Sequence, residues 1–244
     1  MHVKSKKVFS AFEQIARHID ACEAFCVEID LELAQSPEMQ KVLVLNPPNS
    51  LLTLLNAKEL SRLERILRFL NAPALQLIQH IRPMNLINLM STLVIKEETD
   101  TILDMHLYQY AKDKNKRTFG IETMEEHIGI LNSIDLKTEI KQLKAIIRNF
   151  SAFSKQHAKI MDYYTNGRID KLCHHGKRSL GKWRKTLLLN RNIKMAQRLY
   201  NLSLDESVFC AVGAGHLYGK HGVICLLKHH GALLKPIPLN YSST

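Results

Sequence analysis

The 244-residue sequence has few of the features that mark membrane, low-complexity or disulfide-rich proteins. No apolar run approaches the roughly 18 residues that cross a bilayer, and no apolar signal-peptide stretch follows the segment from Met1 to Lys7. Ten glycines and seven prolines are too few for a low-complexity chain. The five cysteines are odd in number and irregularly spaced, so they indicate neither a disulfide framework nor a zinc knuckle. From the chain as given we expect a soluble globular protein.

The sequence also lacks the short motifs of several hydrolase classes. It contains no His-Glu-x-x-His of zinc peptidases, no Gly-x-Ser-x-Gly of serine hydrolases and no phosphate-binding Walker loop. Ser179-x-x-Lys182 has the spacing of a Ser-Lys motif, but no partner motif accompanies it. Hydrolytic chemistry in this chain would have to come from residues that the fold brings together.

Positive charge is abundant, with a formal net charge of +11 at pH 7. Part of the excess lies between Lys171 and Arg198, where no carboxylate interrupts the basic residues. They include Lys177, Arg178, Lys182, Arg184, Lys185, Arg191 and Lys194. Such a run could contact the phosphates of a nucleic acid, but only Trp183 and Tyr200 lie nearby to stack on bases. We therefore favour a solvated surface for 171–198 and rank a nucleic-acid partner last.

Four short apolar segments have the pattern of strands, and the stretches between them are mainly helical in pattern. The four segments are 24–31, 117–122, 208–212 and 232–239. With 45% hydrophobic residues, a chain of this length can bury a substantial core. We expect an α/β (α+β) fold with a mixed central sheet. A single domain would cover 1–244, with a large helical insertion at about 36–116 and 123–200.

Several helices have clear boundaries in the sequence. Apolar residues at helical spacing predict an amphipathic helix over 5–22 and a long helix over 137–164. Asn56 and Thr123 are each followed three residues later by glutamate, which is the capping-box pattern of a helix start. A further helix is expected over about 186–200.

His216 occupies a glycine-rich turn between the strand at 208–212 and a helix that follows it. Gly213 and Gly215 would let the backbone approach a cofactor or another ligand closely, at the edge of an open sheet where ligands usually bind. A histidine at such a turn is also a common structural residue. The glycines could also form a phosphate-binding loop for a dinucleotide. That motif requires an acidic residue about 20 positions after the loop, but the chain has Leu233 to Pro236 there.

Acidic residues follow two other predicted strands. Glu28 and Asp30 alternate onto one face at the end of the first strand, and Glu122 lies where the second strand meets a helix. Carboxylates on apolar strands are costly when buried without partners, so they lie at the sheet margin or bind something. Carboxylates with the imidazole of His216 are a donor set that suits Zn²⁺, Mn²⁺ or Co²⁺. We therefore expect these groups to meet at one edge of the sheet.

Five segments of the chain, in the same order, resemble the TraB/PrgY/GumN family, which includes the Tiki proteins. The most distinctive is 212–231, which contains Gly213-Ala-Gly-His216. The others are the acidic strand at 27–31, the central segments at 103–112 and 119–126, and the Arg-Asn helix at 191–196. Because these segments are distributed in the same order from residue 27 to residue 231, the resemblance extends over nearly the whole chain.

The resemblance implies a metal-dependent hydrolase acting on a peptide or protein, because Tiki members are associated with metal-dependent proteolysis. The family has two Gly-x-x-His motifs, and Gly213-x-x-His216 matches the second. His2 matches the histidine of the first, whose glycine and preceding strand have no counterpart here. On this basis His2, Glu28, Glu122 and His216 would bind a divalent metal.

The remaining roles also follow from the resemblance. Glu28 or Glu122 could serve as general base instead of ligand, while Asp30, Arg191 and Asn192 would orient the ligands or the substrate. Other family members are inhibitors or regulators of a peptide signal, which leaves open a non-catalytic protein that sequesters a peptide in the same cleft. Relatives are often exported, so an upstream signal peptide would place the protein in the cell envelope or outside the cell. Without the first strand, we expect a gap in the sheet or an unusually exposed edge beside 25–31.

Overall fold

The computed structural model describes residues 6–95, 99, 101–180 and 183–239. His2 and Lys182 therefore lie outside the described residues. The strands β1 to β3 span Ala24–Val27, Arg117–Gly120 and Val208–Ala211. The helices α1 to α13 span Lys6–Phe9, Phe12–Asp20, Pro37–Val42, Leu51–Leu54, Ala57–Phe69, Pro83–Leu93, Leu103–Asp113, Met124–Asn132, Leu136–Arg148, Phe150–Thr165, Ile169–Leu180, Asn190–Asp205 and Val223–His229. Short helical turns occupy Leu33–Gln35, Lys185–Leu189 and Ala214–His216.

The three strands form one parallel sheet in the order β2-β1-β3. Val27, at the end of β1, is in register with Gly120 on one side and with Ala211 on the other. The α/β class is thus confirmed, and the sheet formed by the described strands is parallel rather than mixed, with long helical crossovers between its strands. The expected exposed edge beside 25–31 is wrong, because β1 is the central strand and its four residues are all buried.

The strands end earlier than their apolar patterns suggest. Pairing stops at Val27, Gly120 and Ala211, so the acidic residues lie just beyond the strands. Two backbone hydrogen bonds still connect the segments there: Ile121 N donates to Val27 O and Glu122 N donates to Glu28 O, each over 2.8 Å. Glu28 and Glu122 therefore leave the sheet side by side.

The fourth strand expected at 232–239 does not form. This segment has no regular secondary structure, and the side chain of Leu233 is fully exposed. Pro236 and Pro238 lack the amide protons that a strand donates to its neighbour, which explains why an apolar pattern fails to join the sheet here.

Two expected helices are interrupted by short polar side chains. The helix predicted over 5–22 is divided into α1 and α2 near Ser10, whose hydroxyl donates to Lys7 O over 2.7 Å. The helix predicted over 137–164 is divided into α9 and α10 at Asn149, whose side-chain oxygen accepts from Ala152 N. The capping boxes at Asn56 and Thr123 are confirmed as the starts of α5 and α8.

Separate apolar clusters support the sheet and the helical region. Phe25 and Val27 of β1 pack with Ile19 of α2 and with Leu107 and Ala111 of α7. A second cluster lies away from the sheet and is built from helices α4, α5, α6 and α9.

A third cluster positions helix α12. Met195 and Ala196 pack with Val223 of α13 and with Ile121, the residue after β2. This contact brings the first turn of α12 beside the ends of the strands. Within the described ranges, no helix has both the length and the apolar character that crossing a bilayer requires.

Candidate functional site

Four segments meet at the carboxyl edge of the parallel sheet. Glu28 follows β1, Glu122 follows β2, and His216 ends the helical turn after β3. Arg191 and Asn192 come from the first turn of α12. The carboxyl edge of parallel strands is where open α/β sheets usually bind ligands. Of the acidic residues expected there, the structure brings Glu28 and Glu122 together with His216, but not Asp30.

Arg191 lies between the two glutamates and binds both. Its Nε donates to Glu122 Oε1 over 2.7 Å, and its Nη2 donates to Glu122 Oε2 over 2.8 Å and to Glu28 Oε2 over 2.7 Å. The planar guanidinium matches the Glu122 carboxylate with two parallel hydrogen bonds, which a lysine ammonium could not do. The side chain of Arg191 is only 13% exposed, so solvent screens these ion pairs weakly.

The ion pairs keep all three groups charged. Burial alone would raise the pKa of Glu122, but the neighbouring His127 and Arg191 lower it to about 2. Burial opposes ionisation of Glu28 in the same way, while His216, Arg191 and the Gly213 amide hold its pKa below the ordinary value. The pKa of Arg191 is raised by the two carboxylates against the opposing effect of burial. At neutral pH the cluster contains two carboxylates and one guanidinium.

Gly213 provides a backbone contact to the Glu28 carboxylate. Its amide donates to Glu28 Oε1 over 2.7 Å. A Cβ atom on Gly213 would lie only 2.8 Å from that same oxygen, so with any other residue at this position the Glu28 carboxylate would have to shift. Gly215 has open space around its Cα, so the structure places no similar restriction on it.

Asn192 determines which nitrogen of His216 carries the proton. The amide Nδ2 of Asn192 donates to His221 O over 2.6 Å, which leaves Oδ1 as the acceptor that faces His216 Nδ1 at 2.6 Å. The proton of the neutral ring is therefore on Nδ1. Nε2 of His216 lies 3.8 Å from Glu28 Oε2 with its lone pair available.

His216 is neutral at ordinary pH because it is buried, with only 8% of its surface exposed. Burial lowers the pKa of His216 more than the nearby Glu28 raises it, and Arg191 lowers it further. A neutral imidazole whose second nitrogen donates to an oxygen is the usual state of a histidine that binds a metal. It is equally the state of a histidine that accepts a proton.

His127 belongs to the same cluster, although it was not among the site residues predicted from the sequence. Its Nδ1 lies 3.6 Å from Glu122 Oε2 and, among the described residues, has no hydrogen-bond partner. The capping box at Thr123 could have predicted this contact. A helix that starts at Thr123 places His127 one turn later, on the side that faces Glu122.

Asp30 is not brought into the cluster. Its carboxylate accepts from the Tyr108 hydroxyl at 3.2 Å and from the Glu32 amide at 2.9 Å, so it stabilises the turn after β1. His2, the remaining candidate ligand, lies outside the described residues.

The donor groups fit a divalent metal only in part. His216 Nε2 and Glu28 Oε2 are a nitrogen and an oxygen that face each other, which suits Zn²⁺, Mn²⁺ or Co²⁺. Arg191 already binds both oxygens of Glu122 and one oxygen of Glu28, so a metal at this position would share the two carboxylates with the guanidinium. In the part of the chain that the structure describes, no three His, Cys, Asp or Glu residues are grouped as a metal site.

Several residues of the basic stretch at 171–198 are paired within the protein. Arg191 binds the two site glutamates, and Lys194 and Arg198 bind Glu126 over 2.8 and 2.6 Å. These three side chains are directed towards their own chain, which does not favour a continuous track for phosphates.

Comparison with known proteins identifies the family of this chain. The sequence model of the TraB/PrgY/gumN family matches residues 1–236. The chain belongs to this family. No solved structure matched it significantly.

Curated relatives of this family member carry protease names. The metalloprotease TIKI1 of Xenopus tropicalis is 26% identical over 179 residues, covering 61% of this chain and 35% of the relative. The metalloprotease TIKI1 of Danio rerio is 23% identical over 187 residues, which cover 64% of this chain and 37% of the relative. The metalloprotease TIKI homolog of Nematostella vectensis is 23% identical over 179 residues, covering 61% and 38%. The match thus spans little more than a third of each of these relatives.

Proposed function

We propose that this TraB/PrgY/gumN family member is a metal-dependent hydrolase that cleaves a peptide or protein. The observation that carries the proposal is the orientation of His216. Its proton is held on Nδ1 by Asn192, and the lone pair of Nε2 faces the ionised Glu28. The names of the TIKI relatives support a metalloprotease, at an identity low enough that the activity must be tested on this chain.

In this proposal His216 and Glu28 hold the metal, and His2 is the further ligand that the family resemblance suggests. When bound, a divalent ion such as Zn²⁺, Mn²⁺ or Co²⁺ supplies a Lewis acid and lowers the pKa of water. Asn192 keeps the ring of His216 in place through Nδ1. Gly213 holds the second oxygen of Glu28.

Glu122 and Arg191 have positioning roles in this scheme. A carboxyl with a pKa of about 2 is a weak base, so Glu122 is poorly suited to take a proton near neutral pH. Its two hydrogen bonds instead fix the guanidinium, which in turn orients Glu28. Glu28 remains the carboxylate that can bind the metal or accept a proton.

The test compares His216→Ala with His229→Ala, an exposed histidine of α13 that serves as the matched control. We expect the purified wild type and His229→Ala to bind a divalent metal and to cleave members of a peptide library, with cleavage abolished by a chelator. His216→Ala should lose both properties and keep the circular dichroism spectrum of the wild type. Unchanged metal stoichiometry in His216→Ala, or cleavage that resists the chelator, would contradict the proposal.

A second candidate is a non-catalytic protein that sequesters a peptide in the same cleft. It is favoured by the ion pairs of Arg191, because Glu28 and Glu122 are both bound by a protein cation without a metal. This candidate predicts saturable peptide binding with no metal uptake and no cleavage. Isothermal titration with and without chelator separates the two functions.

A further inference from the structure

A polar cleft of about 490 Å³ opens beside the His216 turn. It lies between helices α10 and α11 and the residues that follow His216. Its lining consists of aromatic and ionisable side chains: Tyr163, Asp170, Lys171, His174, His175 and Tyr218.

Helix α11 is attached directly to the turn that carries His216. The buried Cys173 donates its thiol hydrogen to Ala214 O, with Sγ 3.3 Å from that oxygen. Tyr218, on the opposite side of the cleft, comes two residues after His216. The cleft is therefore held in a fixed position next to the candidate site, where it can contact the part of a substrate that flanks the reacting group.

Positive charge predominates in and around the cleft. The ammonium groups of Lys171 and Lys159 lie 5.7 and 5.9 Å from the ring centroid of Tyr163. Asp170 is the acidic residue among the lining side chains, and its carboxylate lies 3.5 Å from Arg168 Nε. Arg168 thus offsets the charge of Asp170 from outside the cleft, which leaves the ammonium group of Lys171 to attract an anion.

We propose that this cleft binds an acidic side chain of the peptide substrate, close to the scissile bond. The inference deepens the proposed function and rests on it for the identity of the ligand as a peptide. Lys171 would pair with the carboxylate, and the imidazoles of His174 and His175 supply further N–H donors. The rings of Tyr163 and Tyr218 offer apolar walls for the rest of the peptide.

A nucleic-acid phosphate has related chemistry, but the surroundings favour a peptide carboxylate. A strand of nucleic acid needs cations spaced along a groove, and Arg191, Lys194 and Arg198 of the neighbouring helix are paired with glutamates. The cleft instead offers one compact group of donors beside a candidate hydrolytic centre.

The experiment measures peptide affinity by isothermal titration in the presence of chelator, so that no peptide is cleaved during the measurement. Two acetylated and amidated alanine-rich peptides are compared, which differ only in carrying two glutamates or two glutamines. We expect the glutamate peptide to bind roughly 5-fold or more tightly, with a preference that weakens as salt is added. Lys171→Gln should abolish the preference. Lys58→Gln, on the exposed surface of α5, is the matched control and should keep it.

Equal affinity for the two peptides, or no measurable binding of either, would overturn the inference. A short single-stranded oligonucleotide serves as the competing ligand. If it binds more tightly than the glutamate peptide, and if Lys171→Gln abolishes that binding, the cleft is assigned to nucleic acid and the inference is overturned. Hydrolysis distinguishes this inference from the proposed function. If the protein cleaves peptides but shows no preference for the glutamate peptide, the acidic subsite is refuted and the hydrolase stands. If it prefers the glutamate peptide but cleaves none, the hydrolase is refuted and the acidic subsite stands.

Discussion

Asn192 accepts a hydrogen bond from Nδ1 of His216 over 2.6 Å, and this contact decides which ring nitrogen faces Glu28. Both residues are buried, so water does not compete for the interaction. The amide cannot turn over freely, because its nitrogen is engaged with His221 O. The orientation of His216 is therefore set by helix α12 rather than by its own turn.

Replacement of Asn192 should reduce activity more than it reduces stability. In Asn192→Leu, the Nδ1 proton of His216 and the carbonyl of His221 both lose a partner, which costs about 1–3 kcal/mol of unfolding free energy. Loss of a partner that orients a metal-binding histidine lowers metal affinity or activity by about 10- to 100-fold. Urea unfolding and peptide cleavage measure the two effects. Asn201→Leu, on the exposed part of α12, is the control, and wild-type cleavage by Asn192→Leu would refute the assigned role.

Removal of the guanidinium between the glutamates should destabilise the protein strongly. Arg191→Met leaves Glu28 and Glu122 close together without a cation, and breaking a buried ion pair in this way costs about 3–5 kcal/mol. Arg198→Met on the same helix removes a pair with the more exposed Glu126 and should cost clearly less. The measurement is urea unfolding of both variants at neutral pH. Equal losses of unfolding free energy in the two variants would mean that the buried ion pairs of Arg191 stabilise the protein no more than the exposed pair of Arg198 does.

Glu122 should contribute to stability in a defined pH window. Because folding lowers its pKa from 4.5 to about 2, ionised Glu122 stabilises the folded state fully above about pH 4.5. That contribution is lost as the pH falls through this window towards 2. It amounts to on the order of 3 kcal/mol, since one pKa unit corresponds to about 1.4 kcal/mol. Unfolding free energies of the wild type and Glu122→Gln, measured across the window, should converge at the acidic end. If the two free energies instead differ by the same amount at every pH, the expected contribution of ionised Glu122 is contradicted.

The two glycines before His216 should respond differently to a methyl group. In Gly213→Ala, the new Cβ would lie 2.8 Å from Glu28 Oε1, and the flexible carboxylate would move away. We expect cleavage to fall at least about 10-fold, as for other changes that misplace a reacting group, while the melting temperature changes little. Gly215→Ala, where the added atom meets open space, should keep near-normal cleavage. The same rate in both variants would show that the contact between Gly213 and Glu28 is dispensable.

Much of the site could be predicted because parallel strands end at a common edge. Three apolar segments followed by Glu28, Glu122 and His216 were enough to expect that these side chains meet. The capping boxes at Asn56 and Thr123 likewise fixed two helix starts, since they depend only on residues three positions apart.

Other features depend on contacts that no local pattern reveals. The position of Arg191 between the glutamates follows from the packing of Met195 and Ala196 in α12 against α13 and Ile121. The central place of β1 depends on how the crossover helices fold back, which its own four residues do not encode. The unformed strand at 232–239 shows how two prolines override an apolar pattern.

Glu28, Glu122, Arg191 and His216 are contributed by segments that lie far apart along the chain and join only through the β2-β1-β3 sheet and the docking of α12. In a nascent polypeptide these groups therefore remain apart until β3 has been synthesised and paired. Any proteolytic fragment that ends before β3 lacks the histidine and the strand together. Such incomplete chains would lack the assembled cluster, which exists only in molecules that have finished folding.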